Sequence, residues 1–264
     1  MDFLTVERYV DLLAAELDAV AAPPGPTRRL GVVDHMPSAL DLVRRDLHAA
    51  AAELSFGKEA GKLSFATDLA RETASYLYAA GAEHRCWRRW AALTAFGHAI
   101  NDQILAACPY AILGGEWCLL ESMSPLTPES GPPSAIALWR LAINATATDD
   151  LPDSDIVDQS WRTLLTAIPS GERTAIDQAL GNIAEFWIAE SEGDWEFYHP
   201  RSAPDFDPEP CAAAALARRY GWSPVSMARE VIRYLEPGLA NGFPGELYPR
   251  LPALPCFESD RDGD

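Results

Sequence analysis

The 264-residue sequence predicts an all-α fold. Apolar residues recur at three- and four-residue spacing almost throughout, and no alternating apolar–polar run bounded by turn residues interrupts them. With 48% hydrophobic and 23% charged residues the chain is composed like a soluble globular protein rather than a disordered one. Its length suits a single large domain over residues 1–264. The expected architecture is an irregular multi-helix array of antiparallel helix hairpins. Successive pairs of similar length would suit a TPR-like stack, although no strict repeat period is visible.

The elements follow in order from spacing and punctuation. Phe3, Val6, Val10, Leu13, Leu17 and Val20 form one helical stripe, which must end before Pro23-Pro24-Gly25-Pro26. Leu40, Val43, Leu47 and Leu54 mark a second helix, with Ser38 as N-cap and Asp41 in its first turn. A third is expected over 64–81, with Phe65, Leu69, Tyr76 and Leu77 inward and Gly81 closing it in the left-handed region. A long helix over about 83–107 stops before Pro109, and its Ala and Gly residues would let a neighbour approach closely. Residues 110–122 give a shorter helix weakened by Gly114-Gly115.

Four prolines in the twelve residues 122–133 make the clearest linker, dividing an N-terminal from a C-terminal helical half. Helices resume over 134–147, 154–167 and 170–190, the last with Phe186 and Trp187 on its inward face. Asp207-Pro208-Glu209 opens a helix with a cap, a first-turn proline and an acidic residue, and Gly221 closes it. Ser223-Pro224 opens another that stops before Pro237, and 258–264 is an acidic tail.

Charge bounds the function. The formal net charge is −18, divided as −6 over residues 1–132 and −12 over 133–264. Such a field repels phosphate backbones and anionic lipid, so nucleic acid and membrane are disfavoured and a basic protein partner is favoured. The five cysteines are odd in number and show no CxxC spacing, which argues for reduced thiols. The N-terminus lacks a basic n-region and a long apolar run, and the longest apolar run, 104–115, is too short to span a bilayer. A cytoplasmic protein is expected.

The polar residues offer few catalytic patterns. Glu196 and His199 have the Glu-x-x-His spacing of helical metal sites, but no second such pair exists and Pro200 follows at once. Neither a metal nor another cofactor is expected. His98 and Asp102, at i and i+4, form the best local proton-transfer pair. Cys108 and Cys118 have no cationic neighbour in sequence to activate a thiolate. The basic and aromatic run from His84 to Trp90 is expected to pair with the protein's own carboxylates while its Trp rings enter the core.

The segment 185–210 holds eight carboxylates and one arginine, interleaved with six aromatic residues. Helix ends account for part of it. What remains is an acidic aromatic stretch over 192–206, so the expected partner-binding residues are Glu192, Asp194, Trp195, Glu196, Tyr198, Asp205 and Asp207. Aromatic anchors among carboxylates suit an interface with a basic protein.

Several landmarks resemble the immunity protein 49 family, helical antitoxins of bacterial polymorphic-toxin systems. They are the Ala79-Ala80-Gly81 step, the helix of small residues opening at Trp90, and the Trp139 segment. Further on come the Asp207-Pro208 entry, the Ala-rich helix ending at Tyr220-Gly221, and Tyr234-Leu235 before Pro237. The resemblance implies a non-catalytic antitoxin that neutralises a cognate toxin, and it assigns no site residues. Two other readings stay open: a helical enzyme or small-molecule binder with a Trp-lined pocket and His98, Asp102 and Cys118 as polar groups, and a TPR-like peptide-binding scaffold.

Overall fold

The computed structural model describes residues 84–125, 130–145, 151–193 and 207–235, together with Tyr9, Leu13 and eight helical positions between 64 and 74. Eight helices and no strand stand among the described residues, so the all-α prediction holds. They are α1 (His84–Ile100), α2 (Ile104–Gly114), α3 (Trp117–Met123), α4 (Pro133–Ala142), α5 (Ile156–Ser170), α6 (Arg173–Gly193), α7 (Pro208–Arg219) and α8 (Arg229–Leu235). Most of the helices expected before residue 81 and the acidic tail lie outside the described residues.

The long helix expected over 83–107 is two helices. It breaks at Asn101-Asp102, where Asp102 takes φ 58° and the N–H groups of Asp102 and Gln103 donate to the carbonyls of Ala99 and His98. That pair of bonds is the Schellman closure, with an aspartate where glycine is usual. Pro109, expected as a stop, lies inside α2. Gly115 (φ 80°), Asn144 (φ 58°), Gly171 (φ 73°) and Gly221 (φ 87°) close α2, α4, α5 and α7 by the same pair of backbone bonds. The expected 134–147 helix therefore ends early, at Ala142.

α2 is the centre. Every residue from Ala107 to Gly114 is buried, and the helix packs against α1, α3, α4 and α7. Small residues make this possible: a Cβ on Gly114 would lie 2.9 Å from the Ala92 backbone of α1. α7 is likewise buried continuously from Pro210 to Ala217 and touches α2, α4, α6 and α8. Helices distant in sequence thus close on one core filled by Trp90, Trp139, Trp161 and Trp222. Among the described residues the packing shows no equivalent stacked hairpins, so the TPR-like regularity finds no support there.

Of the basic and aromatic run, Arg88 and Trp90 fold inward while Arg89 stays exposed. Arg88 is 1% exposed and its Nε donates to the Leu113 carbonyl at 2.9 Å, covering an orphan acceptor at the end of α2. Burial pushes the carboxyl of nearby Glu116 up to about 7, with the Arg88 guanidinium pulling the other way. Trp90 is core.

The final helix corrects another expectation. Residues 223–228 are not the start of a helix: they form a loop wrapped on Asp177 of α6. Asp177 accepts from the Val225 and Ser226 amides at 2.9 Å each, the Ser226 hydroxyl at 3.3 Å and Trp222 Nε1 at 2.8 Å. A carboxylate buried this deeply is tolerable because four donors replace water.

Candidate functional site

Two regions bring polar chemistry together. The first is one end of the antiparallel α5–α6 hairpin, whose register is given by Asn182 donating to Ser160 Oγ at 3.1 Å. One helical turn further along each helix, on the same faces, stand Ile156 and Phe186. They are 60% and 42% exposed, two of the largest apolar side chains left to solvent. Phe186 thus departs from the expected inward placement. The inward stripe of α6 is Ile176, Leu180, Ile183 and Trp187, and Phe186 lies roughly a quarter turn off it. Its ring meets Trp187 edge-on, with centroids 5.7 Å apart.

Carboxylates flank Ile156 and Phe186 along both helices. Asp155 caps α5, its Oδ1 accepting from the Val157 and Asp158 amides at 2.9 Å each. Asp158 accepts from Ser154 at 2.6 Å, and Asp153 lies 3.2 Å from Arg162. Glu185 is exposed beside Phe186, and α6 runs on to Glu190 and Glu192. Arg162 is the one cation in the immediate sequence of this rim, and Asp153 already engages it.

The second region is a cleft of about 740 Å³ between α1, α2, α4 and α7. Its polar wall includes Asp68, Arg71, His98, Asp102, Gln103 and Glu209. The expected His98–Asp102 pairing fails because the helix ends between them and Asp102 turns into the left-handed region. His98 Nδ1 instead meets Gln103 Oε1 at 2.7 Å, and its ring stacks on Tyr110 with centroids 6.0 Å apart. Burial lowers the His98 pKa, the Gln103 contact opposing it in part, so the imidazole is neutral. Among the described residues no tryptophan lines this cleft, nor does Cys118, which is half-buried on α3. Burial raises the Cys108 thiol, which suits a core residue rather than a nucleophile.

Most of the expected partner-binding set lies outside the described residues: Asp194, Trp195, Glu196, Tyr198 and Asp205 wholly, and Glu192 in its side chain, its backbone closing α6. Asp207 is described, and its duty is structural. It caps α7 through Oδ1 to the Glu209 amide at 2.9 Å, and burial first, then repulsion from Glu209, pushes its carboxyl up to about 7. Among the described residues no three His, Cys, Asp or Glu side chains converge as metal ligands, and no helix is long and apolar enough to cross a membrane.

Fold and sites together define an all-α protein with an acidic, apolar-centred hairpin end and a separate polar cleft. No family model, curated protein or solved structure matches the chain.

Proposed function

We propose that this chain is a non-catalytic bacterial immunity protein, an antitoxin that binds a basic toxin in the cytoplasm and occludes it. The observation that carries the reading is the exposed Ile156–Phe186 pair set among Asp153, Asp155, Asp158 and Glu185. An interface needs a desolvated apolar anchor and a rim of complementary charge, and this hairpin end supplies both. The segment 192–206 continues the same acidic and aromatic composition directly from α6. A net charge of −18 adds long-range steering toward a basic cleft, and a toxin that acts on nucleic acid has such a cleft.

Expression of the open reading frame beside this gene tests the reading. Alone it should arrest growth, and the wild-type chain should restore growth. A neighbour that is harmless alone, or equally toxic with this chain present, rules the proposal out.

A further inference from the structure

The cleft carries an inference that does not depend on the antitoxin reading. Asp68, Asp102 and Glu209 line it against one guanidinium, Arg71, which lies 3.5 Å from Asp68. Glu209 is half-buried near the start of α7 and hydrogen-bonds the Ser134 side chain. Asp207, two residues before it, gives its Oδ1 to the helix cap. Neither carboxylate has a cationic partner among the described residues. Burial raises both, as expected of half-buried acids without a countercharge.

His98 supplies an independent observation. It is 9% exposed and lines the cleft. Because Gln103 Oε1 can only accept, Nδ1 carries the hydrogen and the lone pair is left on Nε2. Gln103 is the one hydrogen-bond partner shown for the ring among the described residues, which leaves Nε2 to solvent at the cleft. The remaining wall is apolar and stiff, built from Leu105, Pro109, Tyr110, Pro132 and Pro208.

We infer that this cleft binds an organic cation, a guanidinium or alkylammonium group on a short apolar stem, received by Glu209, Asp102 and the Nε2 lone pair of His98. An anion would meet three carboxylates there, and a neutral apolar ligand would strip them of water without replacing it. A cation satisfies the acids while its stem lies against the prolines and the Tyr110 ring. The source is either a free amine or guanidine, or a basic side chain of another protein.

Isothermal titration of the full chain with agmatine, with the neutral N-butylurea and with the tripeptide Gly-Arg-Gly tests this. Agmatine should bind with a Kd of roughly 1 mM or tighter, and N-butylurea at least about tenfold more weakly. Agmatine affinity should rise with pH as Glu209, which burial holds protonated above its ordinary range, loses its proton, with Asp68, Asp102, Arg71, His98 and Tyr110 as the other ionisable groups facing the ligand. Agmatine binding tighter than Gly-Arg-Gly assigns a free amine, and the reverse order assigns a protein side chain. Glu209→Gln and Asp102→Asn should each weaken agmatine by about fivefold to tenfold. Asn accepts the left-handed backbone at position 102, so that variant keeps the fold. On saturation the His98 Nε2 resonance should shift. No saturable heat and no shift at about 10 mM agmatine, equal affinity for N-butylurea, or wild-type affinity in both variants each overturns the inference.

Discussion

Asp207 shows how a residue chosen for a partner surface acquires a different duty. As an N-cap it must hold a carboxylate oxygen on the Glu209 amide, half-buried and beside a second acid. Asn keeps the cap and removes the charge, so Asp207→Asn should leave stability at pH 8 unchanged or higher, whereas Asp207→Ala should lose about 1 kcal/mol in chemical denaturation. The pH dependence has a definite sign. Asp207 and Glu116 are raised to about 7 in the folded chain, above their unfolded values, so the folded state binds more protons. Thermal stability should therefore rise as pH falls from about 8 to about 6, and below that the neutral His98, which the unfolded chain protonates, works against it. Asp207→Asn should flatten the upper part of that profile. A profile that falls on mild acidification would contradict the burial of both acids. The cap at Asp207 was legible because Asp-Pro-Glu is a local signal; its burial was not, since α7 packs on α2 and α4, which are remote in sequence.

Helix ends decided which elements the sequence disclosed. Gly221 announced itself as a closing residue, but Asp102 and Asn144 perform the same Schellman closure without glycine. Periodicity alone therefore ran two helices into one across 101–103 and carried the helix after Pro133 too far. Pro109 misled in the other direction, because a proline in the middle of a buried helix can be retained when packing outweighs its missing hydrogen bond. The 223–228 loop depends on a partner nearly fifty residues away. Removing that partner by Asp177→Ala strands the Val225 and Ser226 amides and buried Trp222 Nε1, and should cost about 3 kcal/mol or more in denaturant unfolding. A loss below about 1 kcal/mol would show that water replaces the carboxylate. The α5–α6 pair was legible as two helices, yet the exposure of Ile156 and Phe186 was not, because it depends on hairpin register.

At the scale of the molecule, the helical spacing of apolar residues correctly predicted the all-α fold seen among the described residues, and the small residues correctly implied close helix contacts, as at Gly114 and Ala92. Order of packing was hidden, since α7 returns to α2 and α4 through contacts that no spacing encodes. The same holds for the cleft, which gathers Asp68, His98 and Glu209 from three parts of the chain. The acidity remains the strongest global feature, and it predicts that association with a basic partner slows steeply as salt rises. The central claim is that the Ile156–Phe186 pair anchors that partner. Its most direct test is the affinity of the purified chain for the product of the neighbouring reading frame, wild type against Phe186→Asp, with the melting temperature as a control for folding. The account predicts a loss of about a hundredfold, or roughly 2.7 kcal/mol, at unchanged melting temperature. An affinity equal to wild type would place the interface elsewhere and contradict it.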